Sequence, residues 1–240
     1  MNILITGASR GLGFGIAKHL LENSHNVYGL SRNSSVQLER LKEIFPDNLS
    51  ILNYDLEDSN SIKKKLFREF IPNTTPLHAL VSNAALAYDD IITNINQEKL
   101  RKMFQINTLS PMVLTKYSIR NMIFNQIKGS IIHISSISVH TGYKGLAMYA
   151  ASKGALEAFS KNTSREWGVK GIRSNVVVPG FMETDMSSSL SLEQKAKIYK
   201  RNSLKCPTSI NSVVETVAFL ISDRSESITG QNIFVDSGTI

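Results

Sequence analysis

Tyr149 and Lys153 stand four positions apart in the stretch MYAASKG, residues 148–154. On a helix of about 3.6 residues per turn the two would share one face. A titratable pair so placed is either acid–base chemistry or two long side chains shown to water by an amphipathic helix, and the spacing alone does not decide. Upstream, Ser135, Ser136 and Ser138 follow the apolar run SIIHI, and Ser136 lies 13 positions before Tyr149. That separation allows a loop to bring the start of a helix back to the strand end it left, although serines in loops are most often turn formers.

A third group of residues lies near the N-terminus, where NILI runs into TGASRGLG, residues 6–13. Gly7, Gly11 and Gly13 allow positive φ and close backbone approach, and a helix beginning near Leu12 would favour an anion at its N-terminus. Between a first strand and a first helix, this is the context of a pyrophosphate-binding turn, with Ser9 and Arg10 inside it. The spacing differs from the commoner G-x-G-x-x-G, and a plain tight turn is the other reading. Dinucleotide folds usually place a carboxylate after the second strand to bind the adenosine ribose. Here Ser31 and Arg32 occupy that place. Arg10 and Arg32 together suit a ribose 2′-phosphate, which predicts NADP(H) rather than NAD(H). Asp55 and Leu56 at the end of a third strand are expected beside the adenine, and Asn83 at the end of a fourth against the cofactor.

These residues need one scaffold to bring them together. Runs rich in Ile and Val (NILIT, NVYGLS, LSILNYD, ALVSN, SIIHIS, RSNVVVP and NIFVD) alternate with amphipathic segments at about 11–23, 35–45, 59–70, 97–125, 149–167 and 211–222. The alternation predicts an α/β protein: a doubly wound, seven-stranded parallel sheet of the Rossmann type with helices on both faces. Ligands bind such sheets at the carboxyl ends of the strands, where the strand order reverses. The 240 residues, 42% hydrophobic, suit a single domain over 1–240 with no linker or repeat. A weakly patterned stretch at about 183–206 is expected to act as a substrate lid.

Composition narrows the function further. No apolar run approaches the ~18 residues of a membrane span, and MNILITG is expected to open a buried strand rather than a signal peptide. The single cysteine, Cys206, is consistent with a reducing cytoplasm. The net charge of +7 admits an anionic ligand, an acidic protein or nucleic acid. Its clusters at Lys63–Lys65 and at Lys195, Lys197, Lys200, Arg201 and Lys205 read as solvated helix faces, so no nucleic-acid partner is expected. The five histidines show no metal-ligand spacing, and no metal is expected.

Taken together, TGASRGLG, SNAA, the Asn of FQIN, SSIS, YAASK and PGFMETDM resemble the classical short-chain dehydrogenase/reductase superfamily, in its order and spacing from end to end. TGASRGLG, PGFMETDM and GQNIFVDSG are most similar to those of 3-oxoacyl-acyl-carrier-protein reductases of fatty acid biosynthesis. The resemblance implies a catalytic tetrad. Tyr149 would exchange a proton with the substrate oxygen while hydride passes to or from a nicotinamide. Lys153 would lower the phenol's pKa and hold the nicotinamide ribose, and Ser136 would polarise the carbonyl. Asn107 would hold a water through its backbone carbonyl, and it is followed by an expected helix break at Pro111. Pro179, Gly180, Met182 and Thr184 would grip the nicotinamide end of NADP(H). The helices near 149–167 and 211–222 and the last strand would pair subunits in a homotetramer or homodimer.

The chain also departs from the family's pattern. Ala85 replaces a glycine common after Asn83, and the positions of two basic residues that dock acyl carrier protein hold Ile127 and Lys170, with Lys128 and Arg165 close by. The expected activity is NADPH-dependent reduction of a 3-oxoacyl group on acyl carrier protein. A reductase or dehydrogenase of a sugar, polyol or specialised-metabolite ketone is the alternative. A non-catalytic NADP(H)-sensing protein is a third reading, disfavoured because a sensor needs no proton relay.

Overall fold

The computed structural model describes residues 1–184 and 190–240. Among them the Ile/Val-rich runs form β1 (Asn2–Thr6), β2 (Asn26–Ser31), β3 (Leu49–Asn53), β4 (Ala79–Ser82), β5 (Ser130–Ile134), β6 (Arg173–Pro179) and β7 (Asn232–Val235). They make one parallel sheet in the order β3-β2-β1-β4-β5-β6-β7. A parallel strand buried on both faces has no solvent side, so its sequence reads as a continuous apolar run.

The helices are α1 (Gly11–Glu22), α2 (Val36–Ile44), α3 (Ile62–Phe70), α4 (Gln97–Phe104), α5 (Ser110–Phe124), α6 (Ser138–Thr141), α7 (Ala147–Trp167), α8 (Leu192–Arg201) and α9 (Ile210–Ile221). The period-two alternation of the strands sorts their side chains onto two cores. Ile3, Ile5, Val27, Val81 and Ile132 pack with α1, α2 and α9. Leu4, Leu30, Leu80 and Ile131 pack with α3 and α5.

Element boundaries shift where local side-chain bonds compete with the ladder. β3 ends at Asn53 because Asp55 turns the chain, its Oδ1 accepting from Glu57 N at 2.9 Å. α3 is π-helical and starts at Ile62, after Asp58 accepts from Ser61 N. The break expected at Pro111 does not occur. A π-helical turn, Gln105–Leu109, joins α4 to α5, and Pro111 sits in the first turn of α5. There its missing N–H is tolerated, and the widened turn ahead of it relieves the ring's clash with the fourth residue before it. In the expected lid, α8 is a regular helix closed by a reciprocal cap between Ser191 and Gln194. Residues 185–189 of that lid, with Met186 of PGFMETDM, lie outside the described residues.

Candidate active site

The strand order reverses between β1 and β4, and the chemistry-bearing residues gather at that edge. After β1, Gly7 and Gly11 take φ of +72° and +54°, and Gly7 N and Ala8 N both donate to Leu30 O. A Cβ on Gly13 would lie 2.1 Å from the Gly7 carbonyl oxygen, so α1 can begin this close to β1 only with glycine there. Asn83 fastens the turn from below: its side-chain amide donates to Thr6 O at 3.0 Å and Gly7 O at 3.3 Å, while Thr6 Oγ1 accepts from Asn83 N. Its side chain therefore shapes the cradle rather than projecting toward an adenine.

The turn is also tied to the region after β2. Ser35 caps α2 by accepting from Leu38 N, and its hydroxyl donates to the Ser9 carbonyl at 2.5 Å. Arg10, at the N-cap of α1, and the exposed Arg32 flank this junction. Ser31 Oγ, at the end of β2, is buried without a protein partner. An orphaned hydroxyl at the end of β2, with arginines at positions 10 and 32 in the adjoining turns and a glycine turn after β1, fits the ribose and phosphates of a nicotinamide dinucleotide. Asp55 and the buried Leu56 follow β3, where the Leu56 carbonyl accepts from Ser110 Oγ.

At the other end, Pro179 O accepts from Ile137 N and Gly180 N donates to Val235 O, both at 2.9 Å. A Cβ on Gly180 would meet Thr208 Oγ1 at 2.4 Å and Asp236 Cα at 2.7 Å, which makes this turn glycine-dependent. Met182 packs against the core beneath, and Thr184 reaches over the glycine turn, its Cγ2 3.9 Å from where a Gly11 Cβ would stand.

Tyr149 lies in the first turn of α7, packed among Leu86, Tyr88, Met103 and Met148, and its hydroxyl is bonded to the Ser136 side chain. Ser136 Oγ is held in place by Ser138 N at 3.2 Å and Ser138 Oγ at 3.0 Å. Lys153, 2% exposed, donates to the Ile134 carbonyl at 2.8 Å, with Nζ 5.9 Å from the Tyr149 ring centre. Burial pushes this amine down to about 8. The expected lowering of the phenol by Lys153 is not found. Burial, and secondarily the Asp89 charge, push Tyr149 up to about 12, opposed by the Ser136 bond. The amine is spent on the Ile134 carbonyl, which leaves desolvation dominant.

Asn107 sits in the π-helical turn. Its side chain closes both ways on Leu86, accepting from N at 2.8 Å and donating to O at 2.9 Å, and also donates to Ser152 Oγ at 3.0 Å. Pro111, four residues on, has no N–H to offer the Asn107 carbonyl, so the α-helical bond that would occupy that oxygen cannot form.

Three further groups escaped the sequence reading. Glu157 accepts from Ser135 Oγ at 2.5 Å, from His140 Nε2 at 3.0 and 3.1 Å, and from Asn232 Nδ2 at 2.7 Å. It ties together the residue before Ser136, the short helix α6 and β7. Its place one turn past Lys153, on the face of Tyr149 and Lys153, was the available signal. Asp89 lies within electrostatic reach of Tyr149, and His133 within reach of Lys153. Their contacts are made across strands and loops, and no spacing announces them.

Known proteins share this arrangement. A family model described as Enoyl-(Acyl carrier protein) reductase matches residues 7–239. The chain is 35% identical over 237 residues to the 3-oxoacyl-acyl-carrier-protein reductase FabG of Rickettsia conorii, covering 99% of this chain and 95% of that protein. It is 32% identical over 238 residues to L-xylulose reductase of Caenorhabditis elegans, covering 98% and 94%. A solved 4-hydroxyisoleucine dehydrogenase complexed with NADH superposes with a TM-score of 0.93 at 27% identity, covering 99% of this chain and 98% of that one.

Proposed function

The chain belongs to the short-chain dehydrogenase/reductase family, a family of oxidoreductases that act on CH–OH and C=O groups with a nicotinamide cofactor, and on that footing we propose that it is an NADPH-dependent carbonyl reductase. Its substrate is a 3-oxoacyl group carried on acyl carrier protein, reduced to the 3-hydroxyacyl form. The observation that carries the reading is the partly buried Tyr149 with its hydroxyl at Ser136 and the buried Lys153 one helical turn away. Pushed up to about 12, the phenol is protonated at neutral pH and so carries the proton that a ketone reduction consumes.

A nicotinamide dinucleotide held by these residues would supply hydride to the carbonyl carbon. Tyr149 delivers a proton to the carbonyl oxygen, and Ser136 donates a hydrogen bond to that oxygen as its negative charge grows. Lys153 holds the ribose hydroxyls and replaces the proton, drawing it from solvent through a water on the Asn107 carbonyl. The glycine turn with Ser9, Gly11, Leu12 and Gly13 takes the pyrophosphate, and Arg10 and Arg32 take the 2′-phosphate. Pro179, Gly180, Met182 and Thr184 set the nicotinamide face. The segment 183–206 covers the substrate, and the protein works as a homotetramer or homodimer in the cytoplasm. Among the described residues no helix is long and apolar enough to cross a membrane.

A second reading, reduction of a sugar or polyol ketone, is favoured by one feature. Ile127 is partly buried against the core where a carrier-docking cation would be expected, and L-xylulose reductase is among the relatives. Turnover of acyl-carrier-protein and pantetheine-linked 3-oxoacyl substrates beside a panel of ketoses, with NADPH and NADH, separates the two. Reduction of ketoses alone would overturn the carrier substrate, and no turnover of any carbonyl would overturn the enzyme reading.

A further inference from the structure

Lys153 is a cation enclosed in protein, and the one bond from its ammonium to a described residue runs to the Ile134 carbonyl. An ammonium has three donors, and a buried one is costly unless polar groups surround it. The neighbouring residue of the same strand is His133, fully buried, with neither ring nitrogen bonded to a protein atom. Directly across the ladder, His133 pairs in register with Ser82, whose buried Oγ is also without a protein partner. Register partners in a parallel sheet project to the same face, with strands about 4.8 Å apart. On that face α5 adds Ser118, whose Oγ is buried and unpartnered too. His133 and Ser82 are thus orphaned side by side in register, and His133 lies within electrostatic reach of the buried cation. Buried polar atoms of this kind are satisfied by internal water, which needs two to four polar partners.

We propose that His133 and Ser82, with a water held between them, form a neutral polar floor that solvates the Lys153 ammonium from the sheet side. His133 is thus a positioning residue: it touches neither substrate nor cofactor and acts through Lys153. The inference rests on the reading of Lys153 as the lysine of the proton-transfer pair only for its effect on catalysis. Its effect on the amine stands by itself.

The charges around the amine are few. On its own helix are Tyr149 and Glu157, the latter engaged with Ser135, His140 and Asn232. His140 stands on α6, and Asp89, on the loop after β4, faces Tyr149. The buried positions of α5 and of the π-helical turn are all uncharged. His133 is itself held neutral by burial and by Lys153, so it offers a dipole and a lone pair without a competing charge.

The test is Nζ-linked carbon NMR of the protein without cofactor, with Lys153→Ala to assign the resonance. The wild-type amine should titrate near 8, and His133→Leu should lower that midpoint by about one unit. His133→Asn should restore it, and Ser82→Ala, which removes a single hydroxyl, should lower it by less. The alkaline limb of kcat should move with the NMR midpoint in each variant. Midpoints unchanged in both His133→Leu and Ser82→Ala would overturn the floor. Midpoints that move while the kcat limb stays fixed would retain the floor and overturn the catalytic reading of Lys153.

Discussion

Glu157→Ala removes an acceptor that serves three partners at once. The Ser135 hydroxyl, 3% exposed, would be stranded, and a buried hydroxyl without a partner costs about 1–3 kcal/mol. The bonds from half-buried His140 and exposed Asn232 add about 0.5–1 kcal/mol between them. A total of about 1.5–4 kcal/mol in a chain of this length lowers Tm by about 3–16 °C. Ser135 precedes Ser136 and His140 lies on α6, so the loss also loosens the hydroxyl that faces the Tyr149 phenol. Complete loss of such a donor costs about 10²–10³ in kcat, and a loosened one should cost about tenfold. The KM for cofactor should stay within about twofold, because the glycine turn and the arginines lie at the other end of the site. Glu157→Gln keeps one acceptor oxygen for Ser135 and should recover more than half of the Tm loss. Differential scanning calorimetry and steady-state kinetics read both quantities. An alanine variant with wild-type Tm and kcat would refute the view that this carboxylate holds the Ser136 segment in place.

Four other outcomes are expected. Tyr149→Phe should reduce kcat at least 10³-fold while NADPH affinity by fluorescence titration stays near wild type; retention of a tenth of activity would remove the proton-donor role. Arg32→Ala should weaken NADPH about tenfold or more and leave NADH nearly unchanged, and an equal loss for both would mean that Arg32 does not read the 2′-phosphate. Gly13→Ala places a methyl 2.1 Å from the Gly7 carbonyl, so soluble expression should collapse or cofactor binding vanish; a stable, cofactor-binding variant would contradict the close packing of α1. His133 is pushed down from 6.5 to about 3 by burial. The unfolded chain therefore binds a proton that the folded one refuses as pH falls from 6.5 toward 3, and stability should drop across that window. His133→Asn should flatten the drop in denaturant titrations, and an unchanged slope would mean that His133 is solvated in the native state.

Much of this was legible in the sequence. Parallel strands buried on both faces write themselves as Ile/Val runs, and glycines at a βα turn are hard to replace, so the sheet and the glycine turn after β1 could be located to within a residue or two. For Tyr149, Lys153 and Ser136, helix periodicity and a strand-end loop gave only a shared face and a shared edge, and their expected roles came from the resemblance of the motifs taken together. The phenol's raised pKa was not reachable, since it depends on how the chain packs around it and on Asp89 in a separate loop. Pro111 misled for a local reason: proline ends an α-helix unless the turn before it widens, and nothing in QINTL signals a π-helical turn. The Glu157 junction joins residues 135, 140, 157 and 232, whose proximity is created only when the crossovers close.

The backing of the Pro179–Gly180 turn comes from Val235 and Asp236, on and just beyond the edge strand β7. Synthesis proceeds from the N-terminus, and a domain folds as a unit. The glycine turn, the serines after β5 and the whole of α7 precede β7 in the chain, so all of them emerge while this turn still lacks the wall against which it closes. On the proposed reading, the turn that sets the nicotinamide face is therefore complete only once β7 has emerged from the ribosome.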